Sequence, residues 1–191
     1  RDDDHVIACA VAAKASLMLV SPEKMSEMTR HLLRTCLSGR PGPVHFSLPA
    51  DMMKRPVVSD VWRPEHYRPR SELFDRRSVR EAAALLLRAR RPAILAGYGV
   101  HLSRAYGEIL ALAERLNIPV ATTPRAKGVF PEDHPLSLGV FGLAGSPQAD
   151  AALLSNQTDL LLVIGTSLGE ASTHAWDPRL ASGRALLQID V

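Results

Sequence analysis

The chain has 191 residues, enough for one domain with a well-buried core or for one domain and part of another. Apolar residues make up 46% and charged residues 23%, a globular composition that argues against disorder. The formal charge of +3 is too small to argue for a nucleic-acid partner. The basic run Arg76, Arg77, Arg80, Arg88, Arg90 and Arg91 has no interleaved aromatic residues for base stacking. It reads as a solvated helix face, with Val79, Ala82, Ala83 and Leu86 on the other side. Cys9 and Cys36 fit neither a CxxC nor a metal-ligand spacing and read as reduced thiols of a cytoplasmic protein. The histidines are scattered, so no metal site is expected. No apolar run reaches membrane-spanning length, and no signal-peptide pattern opens the chain. The abrupt start Arg1-Asp2-Asp3-Asp4 reads as that of an excised piece.

Ser21-Pro22-Glu23 predicts a capped helix start, and Met25, Met28, Leu32 and Cys36 form its apolar stripe. Gly39 should end that helix. After the rigid turn Arg40-Pro41-Gly42-Pro43, Val44, Phe46 and Leu48 alternate as a strand that Pro49-Ala50-Asp51 closes. This helix–strand pair has too few neighbours to bury its faces alone, so it belongs to a domain whose other elements lie upstream. From Lys54 to about Ser71, Pro56, Pro64 and Pro69 predict an extended linker and not a helix, with Trp62 and Tyr67 resting on a domain surface.

The second unit opens near Asp75 with a helix to about Ala89. Arg91–Val100, R-P-A-I-L-A-G-Y-G-V, then organises the rest. Its short apolar run suits a strand covered on both faces, which implies a parallel sheet. Gly97-Tyr98-Gly99 should turn the chain sharply and bring backbone amides close to a ligand. A helix from Ser103 to Leu116 follows, with Ala105, Ile109, Leu112 and Leu116 as its buried stripe and Asn117 as its terminator. Pro119–Thr123 is a second strand, and Lys127 to Phe141 is mainly loop. Ser146-Pro147 starts a helix to about Ser155, Leu160–Ile164 is an apolar strand, and Ala185–Ile189 is the last strand. The alternation predicts an α/β fold: an open parallel sheet in a Rossmann-like three-layer arrangement with right-handed crossovers.

Glycines gather where strands end, at Gly97 and Gly99, Gly142 and Gly145, and Gly165. In open parallel sheets ligands sit beyond those ends, and helix starts at Ser103 and Ser146 would favour an anion there. A dinucleotide or ADP-like group is the natural guest. A dehydrogenase fingerprint is incomplete. Val100, His101 and Leu102 follow where a third glycine would stand, and Thr122 and Thr123 replace the ribose-binding carboxylate. Arg125 and Lys127 suit a phosphate better. No catalytic residue is assigned; Glu170, His174, Asp177 and His101 read as surface or structural groups before acids or bases.

Four stretches, in order, resemble the acetolactate synthase-like group of the thiamine-diphosphate-dependent enzymes. They are Ser38–Asp51 (SGRPGPVHFSLPAD), Arg91–Val100, Thr122–Gly145 (TTPRAKGVFPEDHPLSLGVFGLAG) and Leu160–Leu168 (LLLVIGTSL). The resemblance implies that 1–53 end a pyrimidine-binding domain, 54–74 are a linker, and 75–191 are a central domain whose C-terminal edge reads as truncated. It implies a parent that decarboxylates a 2-oxo acid and ligates the resulting carbanion, as a cytoplasmic homodimer or homotetramer without nucleic-acid or membrane partners. Thiamine diphosphate and magnesium would bind outside these residues: the activating glutamate lies upstream, and the Gly-Asp-Gly motif that holds the metal lies downstream. The piece alone would therefore not be catalytic. In the family the central domain carries FAD, ADP or nothing. By position the contacts fall on Gly97, Tyr98 and Gly99, Thr122 and Thr123, Leu143, Ala144 and Gly145, Gly165 and Thr166, and Asp190 with Val191. Ala144 stands where the group usually has histidine, and Gly165–Glu170 lacks the usual flavin-contacting arginine, which favours a vestigial or adenine-nucleotide site. The alternatives are a stand-alone nucleotide-binding module and an NAD(P)-dependent oxidoreductase.

Overall fold

The computed structural model describes residues 2–58, 60–68 and 74–190; Pro69 and Ser71 of the expected linker, and Val191, lie outside them. The chain forms two compact units, 1–73 and 74–191.

In the first unit, α1 (Asp2–Ala10) leads to β1 (Ser16–Met18), and a 3₁₀ turn at Pro22–Lys24 runs into α2 (Met25–Leu37). β2 (His45–Ser47), α3 (Ala50–Met53) and α4 (Pro64–Tyr67) follow. β1 and β2 pair in parallel, Ser16 opposite His45 and Met18 opposite Ser47, so β2 has a partner within the chain. Leu32 of the expected stripe is buried, as is Leu19 beside β1. Ser21 does not cap: its hydroxyl turns to the Glu23 carboxylate, and the helix proper begins at Met25. The expected linker contains one helical turn, α4, because Pro64 pre-sets the backbone angle of a first helical residue. Trp62 is half-buried, with the Arg30 guanidinium 4.7 Å above its ring and the His66 ring edge-on at 5.6 Å.

The second unit opens with α5 (Arg76–Arg88), capped by Asp75, whose carboxylate accepts from the amides of Arg77 at 2.9 Å and Ser78 at 3.2 Å. Those bonds, with the Ser78 hydroxyl foremost, hold the Asp75 carboxyl below its ordinary range. Leu86 is buried, but Val79 and Ala83 of the expected apolar side are exposed, so α5 packs through a narrower stripe. Then come β3 (Pro92–Ala96), α6 (Gly99–Ser103), α7 (Tyr106–Leu116), β4 (Val120–Thr122), β5 (Ser137–Val140), α8 (Pro147–Leu153), β6 (Leu160–Ile164) and β7 (Ala185–Ile189). The strands form one parallel sheet in the order β5-β4-β3-β6-β7.

Two expectations need correction. The helix does not start at Ser103: that residue ends α6, its hydroxyl donating to the Gly99 carbonyl at 2.9 Å. Arg104, at φ +57°, then redirects the chain, and α7 begins at Tyr106. The stretch Lys127–Phe141 contains β5, an edge strand. Gly139 at φ +79° and a register shift opposite Val120 and Ala121 disguise it in the sequence. Asn117 ends α7 as expected, at φ +52°.

Side chains alternate across the strands, which gives three layers. Ile94, Ala96, Leu160 and Leu162 meet Leu86 of α5 and Ile109 and Ala113 of α7. Ala93, Leu95, Leu161 and Val163 meet Ala149 and Leu153 of α8, with Phe141 and Leu180. The Asp159 carboxylate receives the amides of Arg90 at 2.7 Å and Arg91 at 3.0 Å, which ties the entry of β3 to that of β6. Beyond α8, Arg184 donates to the carbonyls of Leu153 at 2.6 Å and Ser155 at 2.7 Å, completing that helix's C-terminal end. β7 pairs with β6 over five residues without a register shift and is the outer strand on that side among the described residues, with Leu186 and Ile189 exposed. No helix among the described residues is long and apolar enough to cross a membrane.

Candidate functional site

Because all five strands are parallel, their carboxyl ends share one edge. The structure therefore brings Gly97, Tyr98 and Gly99 after β3, Thr122 and Thr123 at β4, Leu143, Ala144 and Gly145 after β5, and Gly165 and Thr166 after β6 to a single rim. Asp190 follows β7 on the same edge; Val191 lies outside the described residues. Strand order reverses between β3 and β6, the switch point at which such sheets take ligands.

At that point the backbones pack on one another. The Gly97 amide donates to the Ile164 carbonyl at 2.7 Å, the Gly99 amide to the Gly165 carbonyl at 2.8 Å, and the Gly165 amide to the Ile189 carbonyl at 2.8 Å. A Cβ on Gly99 would lie 2.6 Å from the Gly165 Cα, and one on Gly165 would lie 2.8 Å from the Gly99 Cα. These glycines are required by chain-on-chain contact, and their amides already have partners.

The rest of the rim is similarly knit. Gly142, at φ +102°, sits against residues 171–172, and the Leu143 amide donates to the Ala171 carbonyl at 2.7 Å. The loop after β5 is thus joined to the loop after β6, while the Leu143 side chain stays exposed. Thr122, Thr123 and Thr166 are buried; the Thr166 hydroxyl accepts from the Leu168 amide at 3.2 Å, and its carbonyl accepts from Gln188 Nε2 at 3.1 Å. The Ser146 hydroxyl caps α8 by accepting the Ala149 amide at 3.3 Å and itself donates to the Leu138 carbonyl at 2.5 Å.

What faces solvent beside Gly97 and Gly99 is made of side chains. The Arg125 guanidinium lies 4.6 Å above the Tyr98 ring. His101 stands edge-on to Tyr98 and Tyr106, with ring centroids 5.7 Å and 5.6 Å away. Its Nδ1 is 3.0 Å from the Tyr106 hydroxyl and its Nε2 is 3.3 Å from the Lys127 carbonyl. A carbonyl only accepts, so Nε2 carries a proton, and Nδ1 shares a hydrogen bond with the tyrosine hydroxyl. His101 braces α6, α7 and the turn after β4, and Lys127 pairs with Glu132 at 3.5 Å. Of the other candidate acid–base residues, His174 Nε2 donates to Asp150 Oδ1 at 2.8 Å, and Asp177 is gripped by Arg179 at 2.6 Å. The Arg179 hydrogen bonds hold the Asp177 carboxyl down at about 2. Glu170 is exposed on a 3₁₀ turn. These residues brace loops and do not form an acid–base pair with one another. Among the described residues, no group of three His, Cys, Asp or Glu could hold a metal ion. The Tyr98–Arg125 stack was not foreseen; the aromatic residue between two turn glycines was its available signal.

Comparison with known proteins fits this geometry. Residues 79–191 match the family model described as "Thiamine pyrophosphate enzyme, central domain". A "probable acetolactate synthase large subunit" of Methanocaldococcus jannaschii is 38% identical over 167 residues, covering 84% of this chain and 28% of that protein. A "probable 2-ketoarginine decarboxylase" of Pseudomonas aeruginosa is 34% identical over 190 residues, covering 99% of this chain and 32% of that protein. Among solved structures, benzoylformate decarboxylase from Polynucleobacter necessarius superposes with a TM-score of 0.73 at 28% identity, covering 93% of this chain and 33% of that one. The chain thus spans about a third or less of the length of these relatives. It belongs to the thiamine pyrophosphate enzymes, of which it carries the central domain.

Proposed function

We propose that this chain is the structural core of a longer thiamine-diphosphate-dependent enzyme that decarboxylates a 2-oxo acid and ligates the carbanion in the manner of acetolactate synthases. In this reading 75–191 form the central domain, 54–74 the linker, and 1–53 the end of a pyrimidine-binding domain. Thiamine diphosphate and magnesium are held by parts of the enzyme outside these residues, in a cytoplasmic homodimer or homotetramer. The observation that carries the proposal is the family match over the same residues that build the five-stranded sheet and its rim. Neither the stand-alone module nor the NAD(P)-dependent oxidoreductase draws support from the relatives' names.

The rim does not suit a flavin dinucleotide. Pyrophosphate recognition in this fold uses free amides at the first glycine turn, and here those of Gly97 and Gly99 are engaged by Ile164 and Gly165. An adenine nucleotide gripped by side chains suits it better, since Tyr98 and Arg125 offer an aromatic ring and a guanidinium stacked on it at the mouth. The 191-residue protein, supplied with thiamine diphosphate, magnesium and pyruvate, is expected to form no acetolactate; turnover would refute the assignment of catalysis to other segments. Calorimetric titration with ADP and with FAD should show binding of ADP alone, weakened by Arg125→Glu. Flavin retained at one equivalent after desalting would overturn the exclusion of FAD.

A further inference from the structure

The loop after β6 contains a backbone conformation of a different order from the rest of the chain. His174, Ala175 and Trp176 stand at φ +49°, +56° and +59°, three consecutive non-glycine residues in the left-handed region. Elsewhere among the described residues such positions are single: Arg104, Asn117, Ala144 and Leu168. L residues avoid this region because Cβ crowds the following carbonyl, and they visit it one at a time. A run persists only where its surroundings hold it.

Part of the hold is local. The Thr173 hydroxyl accepts the Trp176 amide at 2.9 Å and donates to the Gly169 carbonyl at 3.1 Å, and the Asp177 amide closes on the Thr173 carbonyl at 2.9 Å. A side-chain tie that leads out of the loop is His174. Its Nε2 reaches Asp150 Oδ1 on α8 at 2.8 Å, and its ring stands edge-on to buried Phe141 at 4.9 Å. The charged groups around it are Asp150 from α8 and Asp177 and Arg179 from the following turn, where Arg179 grips Asp177 at 2.6 Å. The end of β5, which supplies Phe141, brings no charge. With the imidazole protonated, two cations face two carboxylates; with it neutral, one carboxylate is in excess.

We propose that the His174–Asp150 pair is a proton-operated latch: the imidazolium clamps the left-handed turn to α8, and loss of the proton lets the turn open and Trp176 move. Trp176 is 62% exposed, so its indole is free to swing without breaking a core. The same loop holds the Leu143 amide through Ala171, which carries the opening to the rim. The sign follows from the chemistry. A neutral imidazole keeps an N–H to donate but loses the Coulomb attraction, so the latch is tight on the acid side, as long as Asp150 stays ionised. Imidazoles change charge between about pH 5 and 8. The side chains of His174 and Asp150 are 32% and 39% exposed, so solvent screens part of the attraction. A roughly two- to fivefold change in turn opening is the scale such a pair supports.

Hydrogen exchange of the Ala175, Trp176 and Asp177 amides tests this, measured by NMR on the 191-residue protein at several pH values and corrected for intrinsic rates. Protection should fall about two- to fivefold from about pH 5 to 8. His174→Gln, which retains a donor without the charge, should flatten that dependence, as should Asp150→Asn. Protection that does not vary with pH in the unaltered protein, or a transition that survives either substitution, overturns the latch. If His174→Gln fails to fold, Asp150→Asn alone decides.

Discussion

A glycine that admits a ligand and a glycine that admits another strand look the same in a sequence, and Gly99 is of the second kind. Its absent side chain lets the turn after β3 lie against Gly165, and the atoms in the way of a Cβ are backbone atoms that cannot rotate aside. Gly99→Ala should therefore destabilise the protein by about 2 kcal/mol or more, in the range of overpacked interiors, whether or not a nucleotide is present. Chemical denaturation with and without ADP checks this; a loss of ADP affinity at unchanged stability would restore the ligand-facing role. Asp177 makes a second case. Its carboxyl titrates at about 2 when folded, against an ordinary 3.8, because Arg179 favours the charged form. A depressed value means that the stabilisation is complete above about pH 4 and disappears as pH falls towards 2. The difference in denaturation midpoint between the unaltered protein and Asp177→Asn should be full at neutral pH and vanish at the acid end. Three consecutive left-handed residues at His174–Trp176 carried no advance sign, since none is glycine or asparagine.

Elements were legible where one physical signal dominated. β3 and β6 announce themselves as short apolar runs ended by glycine, and both prove buried on two faces between α-helices. α7 shows its stripe and its Asn117 terminator. β1 and β2 have three residues each; β2 shows in the alternation of Val44, Phe46 and Leu48 after a rigid turn, whereas Ser16–Met18 offers β1 no such pattern. β5 hid behind Gly139 and the prolines before it. The divided helix at Gly99–Leu116 depends on Arg104 adopting φ +57°, a choice made by the packing of α7 on β3 and β4 and not by local propensity. The rim followed from topology alone, because any parallel sheet collects its strand ends on one side. Its chemistry did not follow, since the partners of Gly97 and Gly99 amides lie some 65 residues further along the chain, at Ile164 and Gly165.

At the scale of the molecule the two units differ in what they bury. The second encloses both faces of its sheet, whereas the described hydrophobic core of the first is little more than Leu19 and Leu32 around two short strands. Residues 74–191 expressed alone should melt cooperatively with a mixed α/β circular dichroism spectrum, and 1–73 alone should not, since so little apolar surface cannot offset chain entropy. The sheet's two flanks also differ. β5 carries a register shift and Gly139 at φ +79°, irregularities that discourage a newcomer, but β7 pairs without a shift and leaves Leu186 and Ile189 exposed. An unblunted flank of that kind is a template: in concentrated preparations it invites a neighbour's β7 to zip alongside, and the piece handled in isolation will tend to gather into edge-joined assemblies unless that seam is occupied or given charge.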